Sequence, residues 1–446
     1  MKVGLTDGKR AVALMAAMLV CSCGNPGSTS IVPIHKTPVD DPVILPKLSV
    51  KDFGAKGDGT AHDTEAVQSA IDHASDIGGG MVILPEGTYL CGSIWLKDNV
   101  ELHLSEGAVI KGSPDIKDYC AADCCPQNEA EIGWGDYVSG GHLLLGVGVR
   151  NVTLSGPGKI DGNSDAFLLD ANGKPYKEKS QVPCRPSQMV WFVDSRDIAI
   201  KDIELADSPY WSCFILNCEN VSISGCNVHT QRKAYHTFNG DGIDIDRSRN
   251  VTIKNCRIDT ADDCLTLRAS SAHLLAKPMD CSDIVVSACS LSSDCNAVRV
   301  GVGEGFIHDA VFSDIAISNS NVAFNIVAAY VKGSRGTDIA RIQFRNVQLQ
   351  AKEFLRIHHM YSKNAQIYDI AFDSVEGTAP DCSHIWAKKA APFSNILLHK
   401  VFVPAEFECV NATVLVDGGQ MMKKNLSQDE LRRLGDAIEN ETQLLY

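Results

Sequence analysis

The sequence predicts an all-β protein wound into a parallel β-helix, and two observations carry that reading. From Asn151 onward the chain repeats a phrase in which Asn or Asp introduces a short β-branched strand. Examples are Asn151-Val152-Thr153-Leu154, Asp197-Ile198-Ala199-Ile200, Asn220-Val221-Ser222-Ile223 and Asn250-Val251-Thr252-Ile253. Later phrases begin at Asp283, Asp369 and Asn395, and Arg341-Ile342-Gln343-Phe344 fills the gap before Asp369. Most neighbours lie roughly 22 to 33 residues apart, the period of a solenoid with one coil per repeat. The second observation is that strands are short, turns are many and long helical patterns are nearly absent, so the coils are built of strands.

The elements follow in chain order. Lys2, Lys9 and Arg10 flank the apolar run Ala11 to Val20, which has the length of a signal-peptide core and is too short to span a membrane. Val20-Cys21-Ser22-Cys23 resembles a bacterial lipobox, with Cys23 the residue to be lipidated; a plain secretory signal with an incidental Cys is the alternative. Residues 1–22 are thus read as a lipoprotein signal peptide. Residues 23–47, rich in Pro, Ser and Thr, are read as a tether. The expected location is outside the cytoplasm, lipid-anchored at the periplasmic or outer face of the outer membrane of a Gram-negative bacterium.

Residues 48–115 form the expected amino-terminal cap. Its helix, from about Asp63 to Ala74, carries the apolar stripe Ala66, Val67, Ala70, Ile71 and Ala74 and is stopped by Gly78 to Gly80. Strands are expected at Met81 to Leu84, Gly92 to Leu96 and Val100 to Leu104. Residues 116–420 are the expected β-helix. In residues 421–446, Ser427-Gln428-Asp429-Glu430 is a capping box, and Leu431, Leu434 and Ile438 make a stripe that would cover the carboxyl-terminal end of the solenoid.

The formal charge of −14 argues against nucleic acid and anionic lipid surfaces as partners. The only membrane attachment expected is the lipid, and the chain is expected to be a monomer. Of 17 Cys, several fall at repeat-equivalent places, such as Cys218, Cys226, Cys256 and Cys289, and are read as buried thiols. Cys120, Cys124 and Cys125 are the ones expected to pair or to stay reactive. No His/Cys spacing resembles a zinc site.

The chemistry concentrates between Asn239 and Arg268. Asp241 follows Asn239-Gly240, and 21 residues later comes the pair Asp262-Asp263. Each group precedes a strand of alternating pattern, so Ile243 and Ile245 on one coil stand over Leu265 and Leu267 on the next. The carboxylates then sit at equivalent places on adjacent coils, roughly 4.8 Å apart. Carboxylates that close retain a proton in common, giving an acid beside a base. The alternative for any one of them is an Asp that caps its own turn.

Continuing the register, Val298/Val300, Phe324/Ile326 and Leu355/Ile357 extend the inward stack. The residues between each pair, Asp244, Thr266, Arg299, Asn325 and Arg356, face outward. The next outward positions carry Asp246, Arg268, Gly301, Val327 and His358. Arg268, Arg299 and Arg356 therefore share a face with the aspartates. They are either a solvated charged surface or a groove for an acidic or heavily hydroxylated sugar.

The cap, the coil period and the motifs Asn239-Gly240-Asp241 and Ala261-Asp262-Asp263 resemble the polygalacturonases of glycoside hydrolase family 28, over about Leu48 to Pro404. Ser208-Pro209-Tyr210-Trp211 resembles the Ser-Pro-x-Trp phrase upstream of those motifs. The resemblance implies a right-handed parallel β-helix of the pectin lyase-like kind with a short amino-terminal capping helix, to which the pattern of residues 421–446 adds a carboxyl-terminal helix. It implies Asp262 as general acid, with Asp241 and Asp263 holding the attacking water, in an inverting hydrolysis that requires no metal or other cofactor. The partner would be a polysaccharide or oligosaccharide substrate.

The family pattern continues with Gly-His-Gly and Arg-Ile-Lys, and here the chain departs from it. Cys295-Asn296-Ala297 stands at the first place and Phe324-Asn325-Ile326-Val327 at the second. The substrate-binding set is accordingly read as Asn239, Asn296, Arg268, Arg299, Asn325, Arg356 and His358, with Arg299, Arg356 and His358 restoring positive charge. A branched or rhamnose-containing pectin, or another uronic or neutral sugar, fits as well as polygalacturonate. Other readings are a calcium-dependent lyase using Arg299 or Arg268 as base, a non-catalytic surface polysaccharide-binding protein and a uronate epimerase, the last without a specific motif.

Overall fold

The computed structural model describes residues 46–128, 138–176, 181–230, 239–270, 275, 277–329, 334–362, 364–388, 391–417 and 419–420. The signal peptide, Cys23, nearly all of the tether and the tail with Ser427, Leu431, Leu434 and Ile438 lie outside these residues.

Nearly all described strands pair in parallel, coil upon coil, as a right-handed parallel β-helix. The exception is Leu415 and Val416, which pair antiparallel with Gln420 and Gly419. The amino-terminal helix runs Thr64–Asp76 and buries Val67, Ala70, Ile71 and Ala74. Asp63 works from the preceding position, its carboxylate accepting from the backbone N–H of Lys56 and Gly57 at 2.6 and 2.9 Å. The strand Val100–Leu104 stands where expected. The strand expected at Gly92 to Leu96 is only Ile94–Trp95, and Gly87–Cys91 forms a strand of its own, because Thr88, Tyr89 and Leu90 also fit the pleat.

Each repeated phrase turns on a left-handed residue. Asn151, Asp197, Asn220, Asn250, Asp283, Arg341, Asp369 and Asn395 all have φ between 52° and 59°. Asn and Asp tolerate that region better than other residues with a Cβ. Stacking adds a second reason: Asn250 Nδ2 donates to Asn220 Oδ1 at 2.6 Å, and Asn220 Nδ2 donates to Asp197 Oδ1 at 2.8 Å. Asn395 repeats the bond to Asp369 at 2.8 Å. These asparagines thus form turn ladders.

The interior is the predicted stack. Ile243 faces Leu265, Leu265 faces Val298, Val298 faces Phe324 and Phe324 faces Leu355. Toward the carboxyl end it becomes aromatic, with Phe312, Phe344 and Phe372 stacked at centroid spacings of 5.0 and 4.7 Å. Cys218, Cys226, Cys256 and Cys289 are buried free thiols, as the repeat positions imply. Cys120, Cys124 and Cys125 are free as well.

A second apolar cluster lies outside this interior. Leu145, Trp191 and Phe214 occupy the outward column that continues into Asp244, and they pack with Tyr210 and Trp211. The outward column then reads Asp244, Thr266, Arg299, Asn325, Arg356, His384 and Glu408. It changes from apolar to polar along the axis, and the acid cluster sits at the change.

Candidate active site

Two strands, Ile243–Asp246 and Leu265–Ala269, present the aspartates from the turns that precede them. The turns are locked to one another: Gly242 N–H donates to the Asp263 carbonyl at 2.8 Å and Ser212 N–H to the Asp241 carbonyl at 2.8 Å. Gly242 must be glycine, because a Cβ there would lie 2.5 Å from the Cys264 carbonyl oxygen. The Asp262 carbonyl accepts from Ser293 and Thr260 hydroxyls at 2.6 and 2.7 Å, which fixes the peptide that carries the acid pair.

Asp241 and Asp263 are buried, whereas Asp262 is partly open. Asp263 pairs with the Arg299 guanidinium and accepts from Asn296 Nδ2 at 2.6 Å. Arg299 Nη2 also stands 3.6 Å from Asp241. Burial, together with the charge of Asp263, pushes Asp262 up to about 6. Burial and repulsion from Asp262, Asp244 and Asp263 push Asp241 well above the usual carboxylate range, against the pull of Arg299. The cluster therefore holds protons in common near neutral pH. Asp262 is the member that can exchange its proton with an incoming group.

Asp244 belongs to the same cluster, which the sequence reading did not include among the site residues. It is fully buried, burial pushes it up to about 7, and Arg268 and Arg299 oppose the shift. Cys295 is another addition. Its partly buried thiol lies beside Asp262 and Asp263, whose charges join desolvation in pushing it far up. The alternation Ile243-Asp244-Ile245 already placed Asp244 outward; its neighbours in space are what the sequence withholds.

The proposed sugar-binding residues divide. Asn296 and Arg299 act on the carboxylates. Asn325 is buried in the outward column one coil beyond Arg299, and Asn239 is buried beside the Asp241 turn. Arg268 is corrected: it lies buried between Asp244 at 3.6 Å and Asp246 at 3.7 Å, with its guanidinium 4.5 Å from the Trp211 ring. Two carboxylates and an aromatic face hold it as a structural cation. His358 is also corrected as a source of positive charge. Burial and the charge of Arg356 bring it down to about 3, so it is neutral at ordinary pH. Arg356 is 18% exposed and bonded to Glu353 at 2.5 Å.

Gly301 stands in the outward column beside Val327 with φ of 138°, and a Cβ there would overlap the Val327 carbonyl. Asp262, Asp263 and Cys295 are the group of three potential metal ligands found among the described residues, their ligand atoms within 4.8 Å of one another. The set suits a hard cation poorly, since one member is a protonated thiol and Arg299 already occupies the Asp263 side.

Comparison with known proteins sets this geometry in context. The family model described as "Rhamnogalacturonase A/epimerase, pectate lyase-like" matches residues 48–122, and that of "Glycosyl hydrolases family 28" matches residues 128–416. A "Probable polygalacturonase" of Vitis vinifera is 28% identical over 301 residues, covering 65% of this chain and 59% of that protein. An "Exo-poly-alpha-D-galacturonosidase" of Dickeya chrysanthemi is 27% identical over 267 residues, covering 50% of this chain and 42% of its own length. The matched part thus spans about half of these relatives. An exopolygalacturonase structure from Thermotoga maritima superposes with a TM-score of 0.62 at 20% identity, covering 84% of this chain and 93% of that one, a likeness of fold. With the coils that carry the aspartates and most of the solenoid inside the match, the chain belongs to the glycosyl hydrolases of family 28.

Proposed function

We propose that the chain is a glycoside hydrolase that cleaves glycosidic bonds in pectic or related polysaccharides containing uronic acid or rhamnose, with inversion at the anomeric carbon. The observation that carries this reading is the partly open Asp262, held near pH 6 beside the buried Asp241, Asp263 and Arg299. Asp262 donates its proton to the departing glycosidic oxygen. A water held by Asp241 and Asp263 attacks the anomeric carbon from the opposite face and gives its proton to that pair. One water is added in all, and the site is restored when the pair releases the proton it gained and Asp262 recovers one through its open side.

Inverting enzymes separate acid and base by roughly 6.5 to 9.5 Å to admit the water. Asp262 and Asp263 offer oxygens within 4.8 Å of one another, short of that span, so the inverting assignment rests on the likeness of the acid motifs to those of the family. The matched relatives are named as acting on polygalacturonate, but Asn325 and Val327 stand at the two outward positions of the coil where that family carries Arg and Lys. The reading therefore extends to substrates with neutral units. Proton NMR of the first-formed product should show the anomeric configuration opposite to that of the bond cut; retention would reject the assignment of Asp241 and Asp263 as holders of water.

Export with lipid attachment at Cys23 belongs to the same proposal, supported by the apolar run Ala11 to Val20 and the Ser22-Cys23 pair. Cells fed a labelled fatty acid should label the wild type and not Cys23→Ser. Equal labelling of both would remove this part.

A further inference from the structure

We propose that the outward face carrying the acid cluster also carries a second sugar-holding site, formed by Glu353, Arg356, His358, His384 and Trp386, that grips a neutral pyranose unit of the chain being cut. It rests on the hydrolytic reading above. Register places it on the same face: Arg356 pairs with His384 and His358 with Trp386, in the columns that began with Asp244 and Asp246. Arg356 is three coils from Thr266, about 14 Å at the usual strand spacing. That is farther than one ring reaches from the acid cluster, so the site serves a different sugar unit.

Its side chains are fixed in advance. Glu353 accepts from Arg356 Nη2 at 2.5 Å and from His384 Nδ1 at 2.9 Å. The His384 ring meets Trp386 edge to face, 4.6 Å between centroids. Trp386 is partly exposed and offers an indole face to the C–H side of a ring, while its buried Nε1 has no hydrogen-bond partner among the described residues. His358 is the independent sign of a ligand. It is 4% exposed, faces outward beside Trp386, and neither ring nitrogen has a hydrogen-bond partner among the described residues. A buried polar side chain left so is costly unless something fills its bonds. A neutral imidazole can accept through one nitrogen and donate through the other, which suits hydroxyl groups.

Charge selects the class of sugar. Glu353 offsets Arg356, and the next coil adds Glu408 beside His384. No excess of positive charge remains for a uronate carboxylate, whereas carboxylate, guanidinium, imidazole and indole together fit a hydroxylated neutral ring.

The test uses calorimetric titration of the full chain carrying Asp262→Asn, so that bound chains are not cut. The probes are a hexamer alternating galacturonate and rhamnose, the matching dimer, and an all-galacturonate hexamer. The ratio of hexamer to dimer affinity for the alternating chain should fall about tenfold when Trp386→Ala is added, the loss of one packed aromatic anchor. His384→Ala should lower it in the same direction. Trp386→Phe, which keeps an aromatic face, should retain most of it and so separates a lost platform from a misfolded coil. The proposal is overturned if the alternating hexamer binds no better than the dimer, if the ratio is unmoved in both alanine variants, or if the all-galacturonate hexamer shows the larger dependence on Trp386. Failure of the hydrolytic reading is seen separately, as no product from either hexamer with wild-type protein.

Discussion

Asp262→Asn is expected to lower turnover by about 10²- to 10⁴-fold, the usual contribution of a positioned general acid, with little change in fold. The amide has the size of the carboxyl and can still accept from Asp263 N–H, a bond of 3.0 Å in the native protein. It cannot give up a proton to a leaving oxygen. The wild-type rate carries the same signature in its pH dependence. Because Asp262 lies near 6, its acid form is present below that pH and is lost as pH rises through it. The basic limb of kcat/KM should therefore fall near pH 6 and be absent from the residual activity of the variant. A full-rate variant, or one that keeps the basic limb, would assign the proton to another group.

The second large effect is expected at Arg299. This side chain pairs with Asp263 and faces Asp241, and both acids are buried. Arg299→Ala leaves them without their cation, and breaking a buried pair from one side costs about 3–5 kcal/mol. The loss should depend on pH in a definite direction. Arg299 lowers the pKa of Asp241, Asp244 and Asp262, so its removal raises all three further. Carboxyls raised in the folded state favour folding while protonated and lose that contribution as pH rises from about 4, their unfolded range, through their folded values. The difference in urea midpoint between variant and wild type should then be small near pH 4 and large near pH 7. Equal differences at both would mean that Arg299 acts through packing alone. Arg299→Lys keeps the charge without the planar fork and should fall between the two.

Much of this could be read before any coordinates. Alternation places Ile243, Leu265, Val298, Phe324 and Leu355 in one stack, since period 2 leaves no freedom once one face is buried. The phrase-opening Asn and Asp residues mark left-handed turns, and even Arg341, with the wrong side chain, keeps the place its spacing demands. The acid cluster was legible for the same reason, as equal offsets from equal strands. What spacing cannot express is pairing. Arg268 and Arg299 look alike in the sequence, yet one is clamped by Asp244, Asp246 and Trp211, and the other pairs with Asp263 and faces Asp241. His358 looked like a cation because exposure and charge state are not written in a strand pattern. Glu353 escaped notice because Val322 interrupts the acid column between Asn296 and it. His384 and Trp386 needed only one more step of the same register.

The most direct measurement is mass spectrometry of products from a panel of pectic oligosaccharides, run with a chelator, for wild type and Asp262→Asn. The account predicts products that gain one water per bond cut, formed undiminished with chelator and lost in the variant. Unsaturated products that vanish with chelator would contradict it in favour of a calcium-dependent lyase, and cleavage that survives Asp262→Asn unchanged would contradict the assignment of the acid.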